Sequence, residues 1–385
     1  MKIVYCLPQL YNPGGIERIV TIKANYLANV FGWDVTIVLA AQNGRPIYYE
    51  LSNRIRIVDL QLPYFDMLSM PLLNRIRFKQ KIKNIHMKKL TDVLFDIRPD
   101  VTISTFTFEA NFLPQIKDGS KKVLEFHFCR GHKRLMADSF NYSGVKKLLY
   151  YWACWEEENL VIPKYDKFVV LTKEDQQRWL PKKSNVAYIP NILPFNIDGT
   201  ANYASKVVIA VGRLDAQKGF DRLIGIWSLL ANDHKDWKLK IYGEGSDKQR
   251  LQKQIDSLGL SSSVTLCGSA KDIRSKYLES SIFVMTSRYE GMPMTMLEAK
   301  SLGLPVVSYD FSCGPKDLIN DGIDGFVVKD GEKNNFAIKL AKLMNEENLR
   351  IEFGANSRSN AAYYAEKNIM ELWRQLFVDI VTIQQ

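Results

Sequence analysis

Two carboxylates frame a short apolar stretch in SRYEGMPMTMLEAKSLGLPVVSYD, residues 287–310. Glu290 and Glu298 are separated by seven mostly small or apolar residues, one of them a proline. Paired carboxylates suit the acid and base steps of a hydrolase. They equally suit a binding site, because carboxylate oxygens accept hydrogen bonds from ligand hydroxyls. A third interpretation is two solvated surface charges, since charged side chains are mostly exposed.

The elements around these glutamates favour a common pocket. Residues 281–287 are typical of a buried strand, residues 303–310 of the next one, and PMTMLEAKSLG of a short helix between them. Pro293 fits the first helical position and Gly303 the C-terminal cap. Glu290 is therefore expected on a loop at the carboxyl end of a parallel strand, where open α/β sheets bind ligands. Glu298 is expected about a turn and a half into the helix.

A pair of cations follows another predicted strand. In VGRLDAQKGFD, Arg213 comes directly after a glycine that ends the strand, and Lys218 stands five residues later, just before a helix. Two cations beside a helix N-terminus suit a diphosphate. The alternative is a pair of ordinary surface charges. Gly268 ends a further strand of the same half, and taken alone it is more simply a turn former.

The pattern of strands and helices predicts two open α/β domains. A strand, a glycine-containing loop, a helix and a second strand occupy residues 2–40, which is a βαβ unit and implies a parallel sheet. The same pattern restarts near residue 205. Residues 186–205 between them are rich in Pro, Asn and Gly, as expected of a linker.

Composition and charge exclude several classes of protein. A helix that spans a membrane needs about 18 consecutive apolar residues. The 385 residues contain no such run. The five cysteines are scattered, which favours reduced thiols in a cytosol over a disulfide framework or a zinc site. The net charge is +10, and residues 1–199 carry most of it, with 28 Lys and Arg against 19 Asp and Glu.

Several motifs in the right order resemble the retaining family 4 glycosyltransferases of the GT-B fold. The matching pieces are PGGIER, VGRLDAQKGFD, YGEGSD, SRYEGMPMTMLEA and SCGPKDLINDGIDGFVV. The resemblance implies two Rossmann-like domains facing across a cleft, with a C-terminal helix that crosses back to the N-terminal domain. It predicts an acceptor-binding domain over residues 1–195, joined by a helix at about 362–385, and a nucleotide-sugar-binding domain over residues 204–361.

The resemblance also implies roles for particular residues. Glu298 would hold the ribose hydroxyls of the donor, and Glu290 would hold the transferred sugar. Arg213 and Lys218 would neutralise the diphosphate, with Gly15 closing over it. The implied donor site comprises Gly15, Arg213, Lys218, Gly268, Glu290, Gly291, Met292, Pro293, Met294 and Glu298. The implied enzyme is a hexosyltransferase that uses a nucleotide-sugar as co-substrate, UDP-sugar in preference to GDP-sugar, with no cofactor and no metal.

A histidine completes the predicted catalytic set of His127, Glu290, Arg213 and Lys218. In the family a histidine at a corresponding strand end lies near the donor sugar. KKVLEFHFCRGHKR offers His127 and His132, and the strand-like run before His127 favours it. A buried structural histidine is the alternative, and a metal site with Cys129 fits no standard ligand spacing.

A basic segment in the N-terminal half predicts contact with a membrane. Residues 75–90 contain no acidic residue and seven cations, namely Arg75, Arg77, Lys79, Lys81, Lys83, Lys88 and Lys89. A basic amphipathic helix can lie on an anionic bilayer, although a solvated helix face is an equal alternative. No nucleic-acid motif is present. With the family's acceptor site in this domain, we expect a lipid-linked or surface-polysaccharide acceptor at the cytoplasmic face of the cell membrane.

Two other functions remain open at this point. One is a nucleotide-sugar epimerase or a phosphorylase of the same fold, because a fold does not fix a function. No lysine context suited to pyridoxal phosphate supports the phosphorylase. The other is a non-catalytic donor-binding subunit of a polysaccharide assembly complex, against which the intact set of charged residues argues.

Overall fold

A seven-stranded parallel sheet organises the first half of the chain in the computed structural model, which describes residues 1–181, 183–194 and 197–382. Its spatial order is β3-β2-β1-β4-β5-β6-β7. The inner strands are almost continuously buried because helices cover both faces of the sheet. In chain order the strands are β1 (Lys2–Leu7), β2 (Asp34–Leu39), β3 (Arg56–Asp59), β4 (Val101–Ser104), β5 (Lys121–Phe126), β6 (Lys167–Val170) and β7 (Val186–Tyr188).

The helices of this half connect successive strands. They are α1 (Gly15–Asn29), α2 (Leu72–Ile97), α3 (His132–Ser139), α4 (Gly144–Glu156) and α5 (Lys173–Trp179). A π-helical turn, Glu157–Val161, continues α4. The basic segment lies within α2, whose Ile82 and Leu90 pack into the core of this domain. The apolar side of the segment therefore serves the protein core, and its cations face outward.

A second parallel sheet, of six strands, follows from residue 207. Its spatial order is β10-β9-β8-β11-β12-β13. The strands are β8 (Val207–Val211), β9 (Lys238–Tyr242), β10 (Val264–Gly268), β11 (Ile282–Met285), β12 (Val306–Asp310) and β13 (Gly325–Lys329). The helices are α6 (Phe220–Trp227), α7 (Lys248–Ser257), α8 (Ile273–Leu278), α9 (Met294–Ser301), α10 (Pro315–Leu318), α11 (Lys333–Asn345) and α12 (Glu347–Ala361).

The last helix, α13 (Glu366–Thr382), returns to the first sheet. Trp373 and Phe377 are buried in the same cluster as Ile3 and Val20 of the N-terminal half. The Lys23 ammonium lies 4.3 Å from the centre of the Trp373 ring. The two Rossmann-like domains of the GT-B fold and the returning helix are thus confirmed. Among the described residues, no helix is both long and apolar enough to cross a bilayer.

The order of the strands fixes where a ligand can bind. In each sheet the order in which successive strands are added reverses beside the first strand. The reversal lies between β1 and β4 in one sheet and between β8 and β11 in the other. Open α/β sheets bind ligands outside the carboxyl ends of the strands at that point. His127 follows β5, Arg213 and Lys218 follow β8, and Glu290 follows β11. The helix predicted between β11 and β12 is α9, which carries Glu298 and begins at Met294, one residue after Pro293.

Candidate active site

Glu290 and Lys218 form a nearly buried ion pair. The Lys218 ammonium donates to Glu290 Oε1 over 2.6 Å, and the Ser287 hydroxyl donates to the same oxygen over 2.7 Å. Glu290 is only 7% exposed. The pair joins the loop after β8 to the loop after β11, so a predicted cation and a predicted carboxylate meet although 72 residues separate them.

Arg213 lies on the rim of the same site. Its side chain is 71% exposed, and its guanidinium donates to Gln217 Oε1 over 3.1 Å. Gln217 in turn donates through Nε2 to the carbonyl of Tyr289 over 3.0 Å. The Arg213 guanidinium also lies 3.4 Å from Asp215 Oδ2. Arg213 is therefore held beside Glu290 through Gln217, and it lines the cavity described below. The sequence analysis did not single out Gln217.

Glu298 is buried on α9 between groups from both domains. Its Oε1 accepts a hydrogen bond from the Arg18 guanidinium over 3.2 Å, and its Oε2 accepts one from the Tyr277 hydroxyl over 3.1 Å. Burial raises the pKa of Glu298 above the usual glutamate value, while Arg18 and Tyr277 act in the opposite direction. A buried carboxylate held in this way presents its remaining lone pairs to a ligand hydroxyl.

Arg18 is a site residue that the sequence analysis overlooked. It lies in α1, one turn after Gly15, and it also donates to the carbonyl of Pro194 in the linker over 3.2 Å. It thereby connects the first domain, the linker and the second domain. The PGGIER motif contains it, and a cation one turn into the first helix was the available clue.

A cavity of about 300 Å³ opens between these groups. Its wall carries two guanidiniums and two carboxylates, which suit a ligand with hydroxyl and anionic groups. Gly243 lies so close to the backbone of Gly212 that an added Cβ would be 1.9 Å from the Gly212 carbonyl oxygen. Gly268 directly precedes Ser269 and Ala270, which line the cavity. The residues that line it are Arg18, Val211, Gly212, Arg213, Tyr242, Gly243, Glu244, Ser269, Ala270, Ile273 and Glu298.

Gly291 lies against the backbone of the N-terminal domain. A Cβ placed on it would be 2.1 Å from the carbonyl oxygen of His127, at the end of β5. His127 thus lies beside the loop that carries Glu290, and its place near the donor sugar stays a prediction. Its Nε2 is 3.1 Å from Glu125 Oε1 without the alignment of a hydrogen bond. Burial alone would raise the pKa of Glu125, but the nearby Lys23 and His127 lower it to about 2.

The other predicted residues of the donor loop contact the linker and a neighbouring turn. Met292 Sδ accepts from the Asn191 backbone amide over 3.3 Å, and Met294 Sδ is 3.5 Å from Asn191 Nδ2. Pro293 packs against Gly314. Gly15 begins α1 and faces open space, since nothing lies within 4 Å of a Cβ added there. Its role in closing over a ligand remains a prediction.

His132 lies in a different place. It is buried, its ring is stacked 4.6 Å from that of Phe128, and burial lowers its pKa to about 3. It lines a second cavity, of about 350 Å³, in the N-terminal domain. Of the seven predicted cations in the basic segment, only Lys79 and Lys83 line this cavity. The remaining lining residues are Tyr64, Phe106, Thr107, Phe108, Ala110, Asn111, Phe128, Lys133 and Glu157.

The family of the second domain follows from its sequence. Residues 198–360, which span β8 to α12, match the family model described as glycosyl transferases group 1. The second domain belongs to the group 1 glycosyltransferases. The match covers all the charged residues after β8 and β11 that were predicted from the sequence. The resemblance inferred from the motifs is confirmed at this level.

Curated relatives extend over nearly the whole chain of this glycosyltransferase. It is 29% identical to the amylovoran biosynthesis glycosyltransferase AmsD of Erwinia amylovora, over 97% of this chain and 99% of the relative. It is 23% identical, over 99% of each chain, to a Campylobacter jejuni enzyme. That enzyme is named GalNAc-alpha-(1->4)-GalNAc-alpha-(1->3)-diNAcBac-PP-undecaprenol alpha-1,4-N-acetyl-D-galactosaminyltransferase.

Solved structures share the fold of this glycosyltransferase. Staphylococcus aureus TarM superposes with a TM-score of 0.78 at 18% identity, covering 98% of each chain. Anabaena HepE, in complex with UDP and glucose, superposes with a TM-score of 0.71 at 16% identity, covering 98% of this chain and all of the other. At such identities these likenesses establish the fold alone.

The contact at Gly291 leads to a test of domain closure. In Gly291→Ala the new methyl group would collide with the His127 carbonyl, so the two domains could not approach as closely. We expect the transfer rate to fall by about tenfold, the usual cost of overpacking, and the radius of gyration in X-ray scattering to increase. Gly225→Ala, on α6, is a matched control, since its backbone needs no positive φ and its Cβ would be 3.7 Å from the Lys333 side chain. An unchanged rate and radius in Gly291→Ala would contradict the closed arrangement.

Proposed function

We propose that this glycosyltransferase moves a hexose-type sugar from a UDP-sugar to an acceptor hydroxyl with retention of anomeric configuration. The observation that carries the proposal is a single cleft. In it, Arg213 and Glu298 line the cavity, while the Lys218–Glu290 pair lies beside it, joined through Gln217. These groups suit the three parts of such a donor, which are ribose, diphosphate and sugar.

Each part of the donor has a matching group. Glu298 accepts hydrogen bonds from the ribose hydroxyls, and Arg213 with Lys218 faces the diphosphate. Glu290 and the backbone of residues 291–294 hold the transferred sugar, beside His127. During transfer, negative charge develops on the departing phosphate oxygen, and fixed cations stabilise it. No metal is needed in this scheme, because the two side chains supply the positive charge.

Retention arises when the acceptor hydroxyl attacks from the face that the nucleotide leaves. The departing phosphate oxygen takes the proton of that hydroxyl as the new glycosidic bond forms and the old one breaks. Glu290 is not assigned as a covalent nucleophile, because its Oε1 already accepts from Lys218 and Ser287. Its task is to bind and orient the sugar.

The acceptor is proposed to be lipid-linked or a surface polysaccharide, at the inner face of the cell membrane. The basic outward side of α2 and the +10 net charge support an anionic surface or acceptor. The name of the Campylobacter relative includes PP-undecaprenol, and AmsD is named for amylovoran biosynthesis. UDP is favoured over GDP because TarM and HepE were each solved with UDP.

The proposal is tested with purified, EDTA-treated protein. Calorimetric titration with UDP and with GDP should show tighter binding of UDP. A screen of UDP-sugars with simple acceptor alcohols should then yield a glycoside that keeps the donor's anomeric configuration, as read by proton NMR. Tighter binding of GDP, an inverted product or a strict need for added Mg²⁺ would each overturn the corresponding part of the proposal. Donor binding without any turnover would favour the non-catalytic subunit.

A further inference from the structure

Helix α4 turns its apolar side away from the protein. Within Gly144–Glu156 only Cys154 is buried. The large apolar side chains that face solvent recur at a spacing of three and four residues, which places them along one side of a helix. We call this set the α4 apolar face: Val145 (73% exposed), Leu148 (69%), Leu149 (59%), Trp152 (59%), Trp155 (48%) and, in the following π-turn, Leu160 (46%).

The opposite side of α4 holds the helix in place. The Tyr151 hydroxyl donates to Asp138 of α3 over 3.0 Å, and the Lys147 ammonium lies 2.7 Å from the same carboxylate. A surface helix of a globular protein usually buries its apolar stripe. Here the polar contacts face the protein and the apolar stripe faces out. A contiguous exposed stripe of this kind marks an interaction surface, unlike single exposed apolar residues.

We propose that the α4 apolar face inserts into the interfacial layer of an anionic phospholipid bilayer. The face contains two tryptophans, and tryptophan is enriched in proteins at the interface between bilayer and water. Insertion places the leucines in the acyl region while Lys146, beside the stripe, stays near the headgroups. The proposal deepens the proposed function, because it names the surface by which a membrane-borne acceptor approaches the protein.

The surroundings of α4 favour a lipid surface over a second copy of the chain. The second cavity lies between α2 and the α3–α4 pair, with Lys79 and Lys83 on one side and Lys133 and Glu157 on the other. Two lysines of α2 therefore share this cavity with the π-helical turn that carries Leu160, the last member of the α4 apolar face. In a symmetric dimer the same patch meets itself, so like charges would approach one another. An anionic bilayer can bury the apolar side chains of α4 among its acyl chains, and its negative headgroups can attract the cations of α2.

Vesicle binding tests the proposal. The full-length protein should sediment with vesicles that contain phosphatidylglycerol, and less with pure phosphatidylcholine. In Leu148→Gln/Trp152→Gln we expect the partition coefficient to fall by about tenfold or more, since each buried side chain contributes about that factor. Ile338→Gln/Ile351→Gln is a matched control, because it replaces two exposed apolar residues on α11 and α12, which are 66% and 46% exposed.

A spectroscopic measurement locates the contact. Vesicles with brominated acyl chains should quench part of the tryptophan fluorescence, and Trp152→Phe/Trp155→Phe should lose that quenching while still sedimenting. Equal sedimentation of the α4 variant and the wild type, or quenching that survives Trp152→Phe/Trp155→Phe, would overturn the proposal. So would a dimer in light scattering that the α4 variant abolishes, with no vesicle binding. Calorimetric titration with UDP tests the donor site independently. A protein that binds UDP but not vesicles contradicts only the membrane proposal, and one that binds vesicles but not UDP contradicts only the donor assignment.

Discussion

Replacing Lys218 with alanine should reduce the transfer rate by about 10²- to 10³-fold, the effect of removing one group that stabilises charge in a transition state. The side chain is only 15% exposed, and its stem lies against Gly212. Its charge therefore acts in a cleft from which much water is excluded, where it stabilises the departing phosphate more strongly than a charge on the surface. The measurement is kcat with saturating donor, together with donor affinity by calorimetry.

Two further variants show what Lys218 does. Lys206→Ala removes a cation of the same domain just before β8, at the opposite end of the sheet, where Lys206 pairs with Asp236, and it should leave kcat unchanged. Lys218→Met combined with Glu290→Gln removes both charges of the ion pair. If Lys218 served only to neutralise Glu290, this double variant would be as fast as Glu290→Gln alone. We expect the double variant to be slower than Glu290→Gln by about the same 10²- to 10³-fold, because the departing phosphate still lacks its cation.

Replacing Glu298 with glutamine should weaken donor binding by about 10²-fold, since hydrogen bonds to a charged partner contribute about 1.5–3 kcal/mol. The amide nitrogen that replaces one oxygen also meets the donor groups of Arg18 or Tyr277. Calorimetry with UDP measures the loss. Glu352→Gln, on the exposed side of α12, is the matched control and should bind UDP as the wild type does.

The affinity should also depend on pH through this carboxyl group. Burial raises the pKa of Glu298 above the ordinary glutamate value. Acidification therefore protonates it at a higher pH than an exposed glutamate, and nucleoside affinity falls as the pH drops through that raised pKa. Uridine is the suitable probe because it carries no phosphate that titrates. A pH profile for Glu298→Gln that still fell in the same way would contradict the assignment.

The sequence by itself determined the elements and the edge at which the charged residues lie. The buried strands predicted from apolar runs appear as β1, β8, β11 and β12, and the helix predicted between the last two is α9. These predictions depend on periodicity and on residues that begin or end helices, which act over a few positions along the chain. Parallel connections then bring strand ends to one edge, so Lys218 and Glu290 meet as expected.

Only the tertiary structure decided which residues of the two domains meet. It also decided which side of each surface helix packs against the protein core. Arg18 reaches Glu298 across 280 residues, and Gly291 lies against the His127 backbone. Neither contact leaves a local pattern, since it depends on how two independently folded sheets are set together. The amphipathic stripes of α2 and α4 make the same point. The first packs inward through Ile82 and Leu90, the second faces outward, and periodicity gives the stripe without its direction.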